Sequence, residues 1–305
     1  MSLVSLFRGI GPSGFGYAST AEQVTCGLDL RGQTFLVTGS SSGLGSETVR
    51  VLALRGARVL STGRTLAQAA ESSAPWAGEI VPYACDLSNP LSVRTCARNI
   101  LSAEPKLDGI ICNAGVMALP KLNRVCGLEA QFFINHIGHF ILTSELLTHL
   151  SATGTIVMVS SSAHKIASPD GIEFDNLSGE FGYSPLQAYG QSKLANLLHA
   201  QALSRRLPLP GQRVNSVHPG VIATKLARHL PPLQRGFLGL LNPLALKTVS
   251  QGAATHCYAA SHPDLKRVSG KYFVDCNEAL PSALARDHNL AERLYARSEQ
   301  IVSDL

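Results

Sequence analysis

The sequence predicts an α/β protein built as one domain around a doubly wound, mostly parallel sheet. Two observations lead to this prediction: short β-prone apolar runs alternate with stretches of helical periodicity, and a glycine-rich turn follows the first strong run. Several runs are apolar throughout, which is typical of strands that helices cover on both faces.

Seven runs are predicted to be strands. They are Thr34 to Thr38, Ala57 to Ser61, Ile80 to Ala84, Leu107 to Cys112, Thr155 to Val159, Arg213 to Val217 and Lys271 to Asp275. Right-handed crossovers with the first strand in the middle favour the order 3-2-1-4-5-6, followed by a seventh strand. Residues 1–30 are expected to be an N-terminal extension, and residues 31–305 the single domain.

Composition excludes several classes of protein. The 305 residues are 45% hydrophobic, which excludes global disorder, and 26 basic against 21 acidic residues are scattered, which argues against nucleic-acid binding. Seven dispersed cysteines without CxxC predict neither disulfides nor a metal site. The apolar stretch within residues 1–10 is too short to span a membrane. A cytoplasmic location is the default, with a chloroplast location and peripheral membrane contact as open alternatives.

A glycine-rich turn, Thr38-Gly39-Ser40-Ser41-Ser42-Gly43-Leu44-Gly45, lies where the first strand passes into a helix. Missing side chains let the backbone approach a pyrophosphate, whose charge the helix N-terminus favours. The turn therefore predicts a dinucleotide site. The alternative is that the glycines only allow tight packing.

The second strand ends at Ser61-Thr62-Gly63-Arg64, with no carboxylate nearby for the ribose diol of NAD. An arginine suits the 2′-phosphate of NADP because its donors form a fork. Arg64 is therefore the predicted NADP determinant. The alternative is a solvated loop arginine.

A tyrosine and a lysine stand four residues apart in Tyr189-Gly190-Gln191-Ser192-Lys193, on one face of a predicted helix. A nearby ammonium favours phenolate, so we expect the pKa of the phenol to fall from about 10 toward neutrality. The pair then suits acid/base catalysis. A surface pair without function is the alternative.

Two further groups of polar residues follow predicted strands or lie in helices. Ser160-Ser161-Ser162 and Asn113 each follow a strand at the edge where open α/β sheets bind ligands, and Asn135 lies in the helical stretch from Phe132 to Leu147. A serine hydroxyl there can contact a substrate oxygen. Both asparagines could equally be structural amides.

Taken together, these motifs resemble the short-chain dehydrogenase/reductase family over about residues 30–280. The resemblance rests on TGSSSGLG at 38–45, CDL at 85–87, NAG at 113–115, Asn135, Ser161, YGQSK at 189–193 and PGVIAT at 219–224. NHIGHF at 135–140 and QGAAT at 251–255 are similar to the branch that contains retinol dehydrogenases and a dehydrogenase of the chloroplast protein translocon. The resemblance implies a Rossmann-type fold.

It also implies roles for individual residues. Tyr189 would be the proton donor or acceptor, Lys193 would modulate it and bind the nicotinamide ribose, Ser161 would hold the substrate oxygen, and Asn135 would support a water-linked relay. Ser160 and Ser162 are the alternatives to Ser161. The expected cofactor-binding residues are Gly39, Ser41, Ser42, Gly43, Leu44, Gly45, Thr62, Arg64, Asp86, Leu87, Asn113, Ala114, Gly115, Tyr189, Lys193, Pro219, Gly220, Ile222 and Thr224.

Two remaining features have open interpretations. His136 and His139 have a spacing that a metal site could use, but no third ligand is evident, so no metal is predicted. Residues 226–247 are Leu-rich with three prolines and are expected to form an apolar substrate lid, unless they are ordinary core.

The sequence therefore predicts an NADP(H)-dependent oxidoreductase, with NAD(H) less favoured, that interconverts a small hydrophobic aldehyde or ketone and its alcohol. A homo-oligomer is expected, as in many members of this family. The alternative function is an NADP(H)-sensing regulatory or scaffold protein of the translocon-associated type.

Overall fold

A mostly parallel sheet forms the centre of the protein. The computed structural model describes residues 9–222 and 246–305. Its strands are β1 (Thr34–Val37), β2 (Arg58–Gly63), β3 (Ile80–Ala84), β4 (Leu107–Cys112), β5 (Arg124–Val125), β6 (Leu128–Glu129), β7 (Leu150–Val159), β8 (Arg213–His218), β9 (Tyr272–Val274) and β10 (Asn277–Glu278). The main sheet has the order β10-β9-β8-β7-β4-β1-β2-β3, and only the β10–β9 pair is antiparallel. The predicted fold class is confirmed.

Helices cover both faces of this sheet. They are α1 (Ala21–Val24), α2 (Gly43–Leu54), α3 (Leu66–Ser73), α4 (Pro90–Ala103), α5 (Ala130–Phe132), α6 (Gly138–Leu146), α7 (Pro185–Leu203), α8 (Val249–Ser261) and α9 (His288–Ser303). Leu36 packs into the core beneath α4, α6, α7 and α9, while its neighbour Phe35 packs beneath α1, α2 and α8. Successive strand residues point to opposite faces, so a sheet covered twice needs continuous apolar runs.

Two short hairpins are additions that the sequence patterns do not predict. β5 and β6 form a separate two-stranded sheet joined by Cys126 and Gly127, both with positive φ, and β9 and β10 are joined by Asp275 and Cys276, also with positive φ. Two consecutive positive φ angles define the tight turn that fits twisted antiparallel strands. Neither turn carries the Asn-Gly signature that would have indicated it.

The segment that precedes β1 packs against the rest of the fold. Ala21 and Val24 of α1 are buried against α8, and the ring centroids of Phe15 and Tyr258 lie 5.8 Å apart. The backbone N of Ser13 donates to Asn277 Oδ1 at 3.0 Å. Residues 9–30 therefore contribute to the core on this face. Within the described ranges, no helix is long and apolar enough to cross a membrane.

Four histidines are buried inside the helical layers: His136, His139, His199 and His256. Burial disfavours the charged imidazolium and lowers the pKa of each, to about 4 for His139 and about 3 for His199 and His256. The fold therefore holds these side chains neutral.

We expect stability to fall as the pH is lowered from 7.5 to 5. A histidine titrates near pH 6.5 in the unfolded chain, so each buried neutral histidine contributes fully above that pH and loses roughly 1.4 kcal/mol per pH unit below it. Urea denaturation across this range measures the slope. His199→Phe keeps a ring in place and should reduce the slope of the unfolding free energy against pH by the contribution of about one proton. An unchanged slope would contradict the assignment of His199 as a buried neutral histidine.

Candidate active site

Four central strands bring the predicted site segments to one edge of the sheet. The glycine turn follows β1, residues 113–115 follow β4, residues 160–162 follow β7, and residues 219–222 follow β8. The strand order reverses between β1 and β4, and open α/β sheets bind ligands in the crevice at such a reversal.

The turn after β1 is shaped by its glycines. Gly39 and Gly43 have φ angles of +66° and +59°, which strain any other residue. A Cβ on Gly39 would lie 2.7 Å from Ala114 Cα, and one on Gly45 would lie 2.4 Å from the Gly39 carbonyl oxygen. The N-cap residue of α2, Ser42, makes no side-chain capping bond. The turn therefore has the close backbone and uncapped helix N-terminus that fit a pyrophosphate.

The other predicted residues of this turn differ in accessibility. Ser41 and Leu44 are partly buried and Ser42 is exposed, whereas Ser40 is buried and its hydroxyl donates to the Thr62 carbonyl oxygen at 2.9 Å. Ser40 is therefore a structural residue of the turn.

The end of β2 places two predicted residues in different environments. Thr62 is buried, and its hydroxyl accepts a bond from the Gly39 backbone N at 3.3 Å. Arg64 is exposed, directly after the strand. The strand end thus combines a threonine that supports the glycine turn with an accessible guanidinium.

The segment after β3 is held by its own side chains. Asp86 Oδ1 accepts bonds from the backbone N and the hydroxyl of Ser88, at 3.0 and 2.7 Å. Leu87 is buried, and its carbonyl oxygen would lie 2.6 Å from a Cβ on Gly138. The Asp86 carboxylate thus stabilises the turn in which it lies.

The segment after β4 is tied to the glycine turn. The Thr38 hydroxyl accepts bonds from the backbone N of Asn113 and of Ala114, at 2.9 and 3.0 Å, and Asn113 Nδ2 donates to the Thr38 carbonyl oxygen at 2.8 Å. A Cβ on Gly115 would lie 3.6 Å from Lys193 Nζ. Asn113 is therefore a structural amide that joins two strand ends beside the lysine.

The tyrosine and lysine of α7 are both buried. Lys193 Nζ lies 5.7 Å from the centroid of the Tyr189 ring and donates to the Val159 carbonyl oxygen at 3.0 Å. Burial raises the pKa of Tyr189 to about 12, opposed by a hydrogen bond with Ser161, and burial lowers the pKa of Lys193 to about 8. The expected lowering of the phenol pKa is wrong for the chain by itself, because desolvation outweighs every other effect on it.

The three serines after β7 have separate environments. Ser160 is buried and its hydroxyl donates to the Lys193 carbonyl oxygen at 2.7 Å, while the Ser162 side chain is exposed. Ser161 Oγ accepts from the Ala163 backbone N at 3.2 Å, and of the three serines it is the one whose side chain opposes the raised pKa of Tyr189. The geometry thus favours Ser161 over its two neighbours as the partner of the phenol.

Asn135 lies in a π-helical turn, Phe133–Ile137, between α5 and α6, where the sequence predicts continuous helix. Its amide is fully used: Oδ1 accepts from Val116 N at 2.8 Å, and Nδ2 donates to the Val116 carbonyl oxygen and to Ser192 Oγ, each at 2.9 Å. Its backbone carbonyl oxygen lies 2.9 Å from His139 Nδ1. π-Turns are frequent at functional sites.

The two histidines of this stretch serve different contacts. His136 Nε2 lies 2.8 Å from Ser298 Oγ of α9, and His139 Nε2 lies 2.8 Å from Thr38 Oγ1. No group of three or more potential metal ligands occurs among the described residues. The contact between His139 and Thr38 is a feature of the site's structure that sequence reasoning missed. Its only signal was a polar residue on an apolar helix face.

Residues 219–222 are fixed by a neighbouring lysine. Gly220 has a φ of +91°, and a Cβ there would lie 2.8 Å from Lys247 Cδ. The Lys247 backbone N donates to the Val221 carbonyl oxygen at 3.0 Å, and Ile222 forms a parallel bridge with Lys247. Pro219 is buried at the end of β8.

The Lys247 side chain is itself almost fully buried. It is 1% exposed, and its Nζ lies 2.5 Å from Asp275 Oδ1 and 4.8 Å from the ring centroid of Tyr17.

Thr224 and residues 226–245 of the predicted lid lie outside the described residues. Of the predicted lid, the described residues are Leu246 and Lys247, and both are buried.

This combination of a doubly wound sheet, a glycine cradle and a buried Tyr-Lys pair is that of a nucleotide-dependent oxidoreductase. The profile of the short chain dehydrogenase family matches residues 33–234. The chain belongs to this family, whose members bind a nicotinamide cofactor.

Two named relatives agree with the family branch inferred from sequence. The chain is 44% identical to short-chain dehydrogenase TIC 32 A, chloroplastic, of Brassica napus, covering 97% of this chain and 96% of the relative. It is 38% identical to human retinol dehydrogenase 14, covering 90% and 87%. A crystal structure of an uncharacterised protein from Mycobacterium paratuberculosis has a TM-score of 0.75 at 33% identity, covering 92% and 97%.

We expect Gly39→Ala to weaken binding of the nicotinamide cofactor by at least about tenfold, because the new Cβ displaces the Ala114 backbone that forms the cradle. Gly127→Ala is the matched control, since it has a φ of +79° and no atom within 4 Å of its Cβ. Both variants should lose roughly 1–2 kcal/mol of stability from backbone strain, and Gly39→Ala should lose more, because its Cβ also meets Ala114. Nicotinamide fluorescence titration measures the affinities, and equal affinity in the two variants would contradict this function of the turn.

Proposed function

We propose that the protein is an NADP(H)-dependent oxidoreductase that interconverts a hydrophobic aldehyde or ketone and its alcohol. The observation that carries this proposal is the buried pair of Tyr189 and Lys193 on one face of α7, with Lys193 Nζ 5.7 Å from the centroid of the Tyr189 ring. These groups lie at the sheet edge that also carries the glycine cradle.

The chain's own residues would do the proton chemistry. Ser161 donates a hydrogen bond to the substrate oxygen and holds it beside the Tyr189 hydroxyl. In reduction the phenol gives its proton to this oxygen, and in oxidation the phenolate takes the proton back. The Lys193 ammonium stabilises the phenolate, and its pKa of about 8 allows it to exchange a proton near neutral pH. The cofactor supplies or accepts the hydride.

Asn135 acts through its backbone in this proposal. Because its amide is committed to Val116 and Ser192, its backbone carbonyl oxygen, which also lies 2.9 Å from His139 Nδ1, would be the group that contributes to the relay to Lys193. The cofactor would be held by the glycine turn at its pyrophosphate, by residues 113–115 and 219–222 along the crevice, and by Arg64 at the adenosine ribose.

An apolar substrate is supported by two observations. Ile166, which follows the serine segment, and Val221, which lies within residues 219–222, are each 50% exposed. The human relative is named for retinol, an apolar alcohol. Assays with a panel of cofactors and substrates would identify the substrate and the direction of the reaction within this class.

A regulatory or scaffold protein that senses NADP(H) is the second candidate, suggested by the likeness to TIC 32. A binding protein does not need the Ser-Tyr-Lys arrangement, so this arrangement favours turnover.

For location we propose the cytoplasm. The chloroplast, named for the Brassica napus relative, and a membrane surface are the alternatives. A homo-oligomer remains part of the proposal, and light scattering measures it.

Tyr189→Phe removes one hydroxyl and should lower kcat at least about 10²-fold, the lower range for acid/base catalysis. Binding of NADPH and the melting temperature should change little, because the ring remains. The assay is nicotinamide absorbance with a panel of apolar aldehydes and ketones. Tyr258→Phe, which removes a phenol from α8, is the control and should retain activity. Comparable activity in both variants would refute the role of Tyr189.

Arg64→Asp should lower the affinity for NADPH by at least about tenfold while sparing or improving that for NADH, because an anion replaces the cation expected to bind the 2′-phosphate. Arg267→Asp makes the same charge change at an exposed site that precedes β9, near the opposite edge of the sheet. It should shift neither affinity. If both cofactors weaken equally in Arg64→Asp, NADP preference resides elsewhere, with Ser41 and Ser42 as the next candidates.

A further inference from the structure

A buried histidine connects the two halves of the site. His139 is fully buried at the start of α6. Its Nε2 lies 2.8 Å from Thr38 Oγ1, at the end of β1, and its Nδ1 lies 2.9 Å from the Asn135 carbonyl oxygen. No other described histidine touches both of these segments.

The hydrogen-bond partners determine the protonation of this ring. A carbonyl oxygen only accepts, so Nδ1 of His139 carries the proton and donates to Asn135. Burial lowers the pKa of His139 to about 4, so the ring is neutral and Nε2 is an acceptor. The Thr38 hydroxyl therefore donates to Nε2 and accepts the two backbone N–H groups of Asn113 and Ala114. Every polar atom of the Thr38 and His139 side chains has a partner.

The chain of hydrogen bonds continues to the catalytic helix. Asn135 Nδ2 donates to Ser192 Oγ at 2.9 Å, and Ser192 Oγ donates to the Tyr189 carbonyl oxygen at 2.7 Å. One network thus runs from the end of β1, directly before the glycine turn, to the backbone of the acid/base tyrosine. Buried, fully satisfied networks hold their members in a single arrangement.

We propose that His139 is a positioning residue. It fixes the position of the Asn135 carbonyl oxygen and the distance between the glycine turn and Tyr189. This inference rests on the proposed function, because it concerns the alignment of cofactor and acid/base group in that reaction. His139 itself contacts neither. Its loss should therefore lower kcat more than it changes binding, because small displacements of reacting groups cost rate far more than affinity.

The test compares two buried histidines on neighbouring turns. His139→Phe removes both hydrogen bonds, whereas His136→Phe removes only the contact with Ser298 of α9, away from the site. We expect kcat to fall at least about tenfold in His139→Phe, with the NADPH dissociation constant within about threefold of wild type. In His136→Phe we expect lower thermal stability and a kcat within about twofold of wild type.

His139→Asn keeps an amide donor near the position of Nδ1 and should recover part of the lost kcat. If His139→Phe does not fold, this variant carries the comparison, with kcat still below that of His136→Phe. The inference is overturned if His139→Phe, or His139→Asn where His139→Phe does not fold, has the kcat of His136→Phe at a temperature where both are folded, since His139 would then be structural only.

Wild type and Tyr189→Phe are measured in the same panel to separate the two proposals. An active wild type whose kcat is insensitive to His139 overturns the inference and leaves the proposed function intact. A wild type that binds NADPH but turns over no carbonyl or alcohol substrate overturns the proposed function and this inference with it.

Discussion

The close approach of the ends of β1 and β4 is the constraint on which the site depends. Backbone atoms of Gly39 and Ala114 leave no room for a Cβ between them, and the Thr38 hydroxyl accepts two N–H groups of the second strand end. Without that hydroxyl, the Ala114 N–H would lose the acceptor it has here, at roughly 1–3 kcal/mol where water is excluded, whereas the Asn113 N–H also donates to the Ile111 carbonyl oxygen at 3.0 Å. The position of the glycine turn, the start of α2 and the crevice between the strands all follow from this contact.

Burial governs the electrostatics of Tyr189 and Lys193, the proposed catalytic pair. It raises the pKa of Tyr189 to about 12 and lowers that of Lys193 to about 8, so desolvation brings both groups closer to their neutral forms. The neutral phenol suits protonation of a developing alkoxide, which is a far stronger base. The reverse reaction needs the phenolate, and the Ser161 hydrogen bond and the ammonium are the groups that stabilise it. The same pair can thus serve reduction and oxidation. The neutral phenol acts in reduction, and the phenolate stabilised by Ser161 and the ammonium acts in oxidation.

The sequence predicted the parts of this structure that depend on local patterns. Strand positions followed from apolar runs, and the gathering of Gly39, Ser161 and Tyr189 at one edge followed from parallel topology. Three features were not predictable in this way. The π-turn at Asn135 depends on tertiary packing, the turn through Cys126 and Gly127 lacks the Asn-Gly signature, and the pKa of Tyr189 depends on how much solvent the fold removes. The first and the last are decided by residues distant in the chain.

The segment after β8 shows how distant residues complete the site. Gly220 and Val221 are held by Lys247, whose ammonium is paired with Asp275 in the β9–β10 turn and lies over the ring of Tyr17 from the N-terminal segment. A buried ion pair adds little net stability because desolvation offsets the attraction, yet removing one partner leaves an uncompensated charge that costs about 3–5 kcal/mol. Such a pair therefore specifies one arrangement more than it strengthens the fold. Here it joins three separate parts of the chain against the strand end that completes the crevice, so residues before β1 help to define the geometry of the site.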